Sequence, residues 1–266
     1  MVSHLSRYID RSTRRILDGV SNVVLMRGAD IPSRAPRTLF TFNSRDDVSQ
    51  YAMGCDGDIG GTSTVHLDLD ENPEHNATLG KTATGLFWGE MRLDVKPGYA
   101  NKIRGGYAGF RNMNRPTIFG DITDDVSQHE YLALRVRLGG DPRTRNSYFV
   151  NLQTEGPIST DLWQHRLYFK RNDGRWEDVF LPFSSFIRTN SGEMSEAQIT
   201  MMRERIRSIG ISMLGGNSGV SGKYELGIDH IRIVNEEDVT DEPLEKVLEK
   251  EKRASGEVTN GKLEHS

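Results

Sequence analysis

Two short stretches are the first candidates for chemistry. Asp56-Gly57-Asp58 opens like a calcium loop, because alternate carboxylates can offer oxygens to one hard cation. An EF-hand would then need Asp or Asn where Gly60 stands and Glu where Leu67 stands. A sandwich can instead bind calcium through scattered oxygens, so Asp56, Asp58 and Asp229 stay as candidate ligands, against a plainer reading as turn and edge aspartates. Residues 217–223 imitate a phosphate loop, but Asn217 replaces its first glycine and Tyr224 its final Ser/Thr. Gly215, Gly216, Gly219 and Gly222 read better as a strand-connecting loop.

The second stretch is Ile103-Arg104-Gly105-Gly106-Tyr107-Ala108-Gly109-Phe110-Arg111. Its glycines have the wrong spacing for a dinucleotide fingerprint and open no helix. Glycine this dense in a strand-like run marks close backbone approach, a bulge or a docking edge. Arg104, Tyr107 and Arg111 are therefore candidate partner contacts. Trp88, Tyr107, Tyr148, Trp163 and Trp176 could line a sugar platform or fill the core. Trp88, between Phe87 and Gly89, reads as core. Trp163 follows a polar stretch, reads as partly exposed, and joins the candidate contacts.

Enzyme signatures are missing from the sequence. The seven histidines do not cluster into a metal motif, and there is no Gly-x-Ser-x-Gly elbow. Cys55 would be a nucleophile only beside a histidine in space; a small buried thiol is the plainer reading. Paired carboxylates for glycoside hydrolysis need only spatial closeness, and nothing favours them. The chain is expected to be no enzyme, with no cofactor and no small-molecule substrate.

The positioning elements are mainly strands. Runs over 39–42, 65–69, 85–95, 103–110, 131–138, 148–152, 166–170, 176–181, 208–213 and 224–234 have strand character. Leu132, Leu134, Val136 and Leu138 alternate onto one face, as do Tyr224, Leu226, Ile228 and His230. Asn172-Asp173-Gly174 predicts a tight hairpin, Gly140-Asp141-Pro142 a break, and Pro182 a strand end. Residues 3–18 predict a short helix carrying Arg7, Arg11, Arg14 and Arg15 against Asp10 and Asp18. It fits a transit peptide only in part and reads better as a docking helix, with the natural precursor expected to start further upstream. Ser195-Glu196-Ala197-Gln198 has capping-box form, and Ile199, Met202 and Ile206 follow at helical spacing, which predicts an interior helix ending near Arg207. Ten short strands without alternating helices make an all-β, antiparallel sandwich of jelly-roll type. The boundaries are 1–38 for the helix and linker, 39–235 for the sandwich, and 236–266 for a charged, largely disordered tail in which Leu244, Val247 and Leu248 form at most a short helix.

With 34 basic and 38 acidic residues the net charge is −4, which argues against a general nucleic-acid binder. One cysteine excludes an internal disulfide and suits a reducing compartment. No apolar run has the length of a membrane span. Asn76-Ala77-Thr78 is a chance glycosylation sequon if there is no secretory route.

An ordered set of motifs resembles a known family. Asp58-Ile59-Gly60-Gly61-Thr62-Ser63, Gly85-Leu86-Phe87-Trp88-Gly89 and Arg104-Gly105-Gly106-Tyr107-Ala108-Gly109 come first. Trp163-Gln164, Trp176-Glu177-Asp178-Val179-Phe180-Leu181-Pro182-Phe183, Ser208-Ile209-Gly210-Ile211 and Leu226-Gly227-Ile228-Asp229-His230-Ile231 follow. Together, over about 39–235, they resemble the complex I intermediate-associated protein 30 family. The resemblance implies a galactose-binding-like sandwich, similar to some carbohydrate-binding modules. It also implies a non-enzymatic assembly factor for mitochondrial complex I that binds membrane-arm subunits and other assembly factors. Such a protein works on the matrix side, peripheral to the inner membrane through its partners. No catalytic residue comes with the family. The connection over 139–147 and the charged tail depart from its pattern. A carbohydrate-binding module of the same fold is the alternative.

Overall fold

The computed structural model describes residues 4–24, 33–100, 102–156, 158, 160–190, 193–216 and 218–239. The tail beyond 239, the short helix expected near Leu244, part of the linker and Asn217 lie outside the described residues. The strands are β1 (Arg37–Thr41), β2 (Tyr51–Cys55), β3 (His66–Asp70), β4 (Thr84–Met91), β5 (Tyr107–Asn112), β6 (Pro116–Thr117), β7 (Gly120–Asp121) and β8 (Tyr131–Gly140). They continue with β9 (Tyr148–Thr154), β10 (Asp161–Arg166), β11 (Trp176–Pro182), β12 (Ile187–Asn190), β13 (Glu193–Met194), β14 (Ile206–Leu214) and β15 (Gly222–Val234). Six form one antiparallel sheet in the order β11-β8-β15-β4-β3, with β1 also paired to β15; seven form the other, β13-β12-β10-β9-β14-β5-β2. The chain repeatedly crosses between the sheets, as a jelly roll does.

Alternation explains the packing. Leu132, Leu134 and Val136 from β8, with Val150 and Leu152 from β9, are fully buried between the sheets. Tyr224, Leu226 and Ile228 point into the same core. The expected alternation breaks after Ile228. A bulge at Asp229 shifts the register against β8, so Ile231 takes the core position and His230 turns aside.

Three expected elements differ. The tight hairpin is instead a crossover, because β10 and β11 belong to different sheets. Residues 167–170 leave the ladder after Leu167, and the buried Glu177 carboxylate accepts from the Lys170 (2.8 Å) and Arg171 (3.2 Å) amides in place of a partner strand. The interior helix is absent. Gln198 does reach back, but across to β12: it accepts from Arg188 N–H (2.8 Å) and donates to Arg188 C=O (2.9 Å), acting as a strand surrogate. Its competing bonds, and the strand start at Ile206, defeat the helical spacing. Pro182 does end β11, which is an edge strand where its missing donor costs nothing.

The N-terminal helix α1 (His4–Val24) forms and runs past its expected end. It meets the sandwich through its polar side: Arg7 donates to Ser49 (2.9 Å), Arg11 to Gln50 (3.3 Å), Arg15 to Thr117 (3.4 Å), and Ser12 accepts from Ile118 N–H (3.2 Å). Leu5, Ile9, Ile16 and Val20 face outward.

A buried polar knot covers the outer face of the six-stranded sheet. Arg137 is only 4% exposed and bridges Asp70 (3.2 Å) and Glu225 (2.9 Å), while Trp176 donates to His75 C=O (2.6 Å). Arg137→Ala is expected to cost about 3 kcal/mol by leaving buried charge unpaired. Urea unfolding with an unchanged slope checks it; a negligible shift in midpoint would show that the carboxylates find other donors.

Candidate functional site

The two marker stretches meet at one carboxylate. Asp56 is 1% exposed, and its side chain accepts from Ser63 N–H (2.9 Å), the Ser63 hydroxyl (3.0 Å), Tyr107 N–H (3.2 Å) and, at very short range, Gly106 N–H. Ser63 in turn accepts from Arg92 N–H (3.1 Å), just past β4. Gly106 sits at φ +92°, and a Cβ there would lie 2.7 Å from the Gly216 Cα. Its carbonyl accepts from the Gly215 (2.9 Å) and Gly216 (3.1 Å) amides. The double glycine is thus a backbone junction that only glycine can occupy.

Past this junction β5 alternates. Ala108, Phe110 and Asn112 point inward; Tyr107, Gly109 and Arg111 face outward. The Tyr107 ring folds along the sheet, and its hydroxyl would lie 3.0 Å from a Cβ at Gly109, so the bare glycine makes room for it. Burial raises the Tyr107 pKa, so the phenol stays protonated. Gly54, Gly210 and Asn151 complete a shallow cleft of about 250 Å³ with Tyr107, Gly109 and Arg111. Beyond it runs a polar ladder: Gln164 donates to Asn151 (2.8 Å), and Asn151 donates to Ser212 (2.9 Å). Further along, the Arg166 guanidinium lies over the Phe149 ring (5.2 Å). β2, with Met53 half exposed, forms one edge of this sheet.

Arg104, Tyr107 and Arg111 are all exposed, and neither arginine has an ion pair among the described residues. Trp163 is not with them. It is 5% exposed and belongs to the core, because position 163 on β10 shares the inward face with Asp161. Trp88 is the converse: Phe87 takes the core position, and Trp88 projects outward, 40% exposed, stacks on His66 (4.3 Å) and donates to Asp68 (2.9 Å). Tyr148 and Trp176 are buried, and the exposed Trp88 and Tyr107 lie in different sheets, so the five aromatics form no common platform. Residue type alone does not mark Asn151, Ser212 and Gln164 as site residues. The alternation of Tyr148, Val150 and Leu152 would have placed Asn151 on the outer face.

The three candidate calcium ligands are each engaged by protein donors. Asp58 accepts from Cys55 N–H (2.9 Å). Asp229 takes Asn43 (2.8 Å), His230 (2.7 Å) and, at very short range, Lys81. Among the described residues no group of three or more His, Cys, Asp or Glu is placed to hold a metal. Burial alone would raise the Asp229 pKa; hydrogen bonds from His230, Lys81 and Asn43 outweigh it and hold the carboxyl well below the usual range. Cys55 donates to Ser63 C=O (3.2 Å), and burial raises its pKa, which disfavours the reactive thiolate.

Fold and site together define a galactose-binding-like jelly-roll sandwich with a polar, partly aromatic outer face. Its shape matches the family 11 carbohydrate-binding module of the cellulosomal cellulase Lic26A-Cel5E of Clostridium thermocellum at TM-score 0.51 and 13% identity, over 76% of this chain and 96% of that one. The same module type in complex with a mixed-linked tetrasaccharide matches at TM-score 0.50 and 14% identity, over 76% and 97%. At these identities the likeness is one of fold. The family model of complex I intermediate-associated protein 30 matches residues 40–228. "Complex I intermediate-associated protein 30, mitochondrial" of Neurospora crassa is 34% identical over 250 residues, 89% of this chain and 85% of that protein. The mouse protein of the same name is 25% identical over 237 residues, 86% of this chain and 66% of its own length. The chain belongs to the complex I intermediate-associated protein 30 family.

Two outcomes follow for the site. Gly106→Val should lower the melting temperature sharply, by the equivalent of about 3 kcal/mol, since it adds strain at positive φ to a backbone clash; wild-type stability would mean the junction can shift. Asp229 has a depressed folded pKa, so its stabilisation is complete above the unfolded value near 3.9 and fades as pH falls below it. Asp229→Asn should therefore flatten the acid limb of a stability–pH curve, read by urea midpoints. An unchanged limb would show that other carboxylates govern acid unfolding.

Proposed function

We propose that this protein is a non-enzymatic assembly factor for mitochondrial respiratory complex I, binding a membrane-arm intermediate through the outer face and β2 edge of the seven-stranded sheet. Family membership across 40–228 supports the assembly role. The observation that carries the docking face is the placement of Tyr107 and Arg111, exposed at a glycine-floored cleft beside a polar ladder, with the exposed Arg104 at the glycine junction just before β5. Tyr and Arg are enriched where proteins bind one another, and unpaired guanidiniums add selectivity and rate of encounter. A free edge strand adds main-chain hydrogen bonding to a partner strand. The expected place of work is the matrix side of the inner membrane, with attachment through complex I subunits and other assembly factors. Among the described residues no helix is long and apolar enough to cross a membrane.

Loss of the gene should deplete mature complex I and leave membrane-arm subunits in smaller assemblies on native gels; a normal amount of mature complex would overturn the reading. The double variant Arg104→Glu, Arg111→Glu should keep the wild-type melting temperature. It should also lose most of the complex I subunits that co-purify with the wild type from mitochondria. Unchanged co-purification would move the docking face elsewhere.

A further inference from the structure

A second cleft, of about 320 Å³, opens between α1 and the sandwich and uses none of the docking-face residues. It is within the size range of small-molecule sites. Its chemistry is one-sided. Arg7, Arg11 and Arg115 all line it. Arg115 is paired with Asp124 (2.5 Å), whereas Arg7 reaches Asp46 only at 3.5 Å. Arg11 meets the Gln50 amide oxygen at 3.3 Å and has no carboxylate partner among the described residues. Asp47 also lines the cleft, with one carboxylate oxygen accepting from the Asn43 and Ser44 amides, both at 3.1 Å, so three guanidiniums outnumber one carboxylate in the lining. Partial burial and then the neighbouring Arg115 and Arg7 lower the Arg11 pKa, the sign of a cation crowded by like charge.

The cleft also holds unused donors. Tyr51 is 8% exposed, stacks on Phe42 (4.8 Å) and has a buried hydroxyl with no hydrogen-bond partner. Burial raises its pKa, which keeps the proton on the oxygen. The Arg115 Nε is buried and unpartnered as well, while its guanidinium lies over the Phe40 ring (5.5 Å). Unmet buried donors are uncommon, and each costs stability until an acceptor arrives. Three guanidiniums and a phenol offer more donors than a single carboxylate can accept, whereas a phosphoryl group presents three strong acceptor oxygens and up to two negative charges.

We propose that the cleft between α1 and the sandwich binds a phosphate-class anion, with Arg11, Arg7, Arg115 and the Tyr51 hydroxyl as its ligands. The anion would also join α1 to the sandwich, since α1 and the sheets each supply part of the site. The phosphate has two possible sources, a free phosphorylated small molecule or a phospholipid headgroup.

Inorganic pyrophosphate is the probe for the first source, titrated calorimetrically into the full chain at low ionic strength. Vesicles of phosphatidylcholine with and without phosphatidic acid are the probe for the second. Saturable pyrophosphate binding, or binding to the phosphatidic acid vesicles alone that pyrophosphate competes away, is expected. Arg11→Gln should weaken either by roughly tenfold, the scale of one lost charge-assisted contact. Tyr51→Phe should weaken it severalfold while leaving the unliganded melting temperature equal or higher, because the lost hydroxyl has no partner to abandon. A free small anion is identified by pyrophosphate binding without vesicle binding, a lipid headgroup by vesicle binding. The proposal is overturned if neither probe binds, or if binding is the same in wild type, Arg11→Gln and Tyr51→Phe.

Discussion

The carboxylate of Asp56 is shut away from water and takes donors from two separate stretches, residue 63 and residues 106–107. Such a group is stable in a low-dielectric interior only when its lone pairs are matched. Here the matching fixes geometry. Ser63 leads to the end of β4 in one sheet, and Gly106 leads into β5 in the other. One side chain therefore sets where two sheets stand at this end of the sandwich, and where Tyr107 begins its outward run. The glycines around it are a consequence: the backbone comes so close that side chains have no room.

The two surfaces proposed for binding hang on this frame in different ways. The face with Tyr107 and Arg111 is rigid, because it is the reverse side of strands whose inward residues fill the core. The cleft beneath α1 is held together by side-chain hydrogen bonds of 2.9 to 3.4 Å, most of them from arginine, with no strand pairing between its two walls. A ligand site on sheet strands gains in precision, and one beneath a laterally docked helix gains in adjustability.

Much of the sandwich was legible because a period of two is hard to imitate. The runs at 131–138, 176–181 and 224–234 fall on β8, β11 and β15 for that reason. The misreadings share a cause: a side chain took over a backbone's hydrogen bonds. Gln198 spent its amide on Arg188, and Glu177 spent its carboxylate on residues 170 and 171, in each case hiding the true element from local pattern. The bulge at Asp229 is similar, since one extra residue reverses every inward and outward assignment after it. At the site, Arg104 and Tyr107 were legible as candidate contacts because they flank the Gly105-Gly106 pair, and Arg111 because it lies an even number of strand positions from Tyr107. The ranking of the tryptophans was not, because an apolar neighbour such as Phe87 tells only that one of the two faces inward. The cleft beneath α1 was beyond reach, since its arginines meet across more than a hundred positions of chain.

The order of strands has a temporal meaning. β15 pairs with β8, β4 and β1, so the last strand of the described chain is the hub of the six-stranded sheet. Until residues 222–234 are available, β1 and β4 lack their partner along one edge and β8 keeps only β11. A polypeptide emerging from a ribosome, or threading through a translocation pore, N-terminus first would carry β1 unpaired, and the β3-β4 and β8-β11 pairs unjoined, until β15 is available. Non-local pairing of this kind folds late and exposes strand edges to holding chaperones and to aggregation alike. A factor that oversees the assembly of others would itself be exposed to misassembly until its final strand arrives.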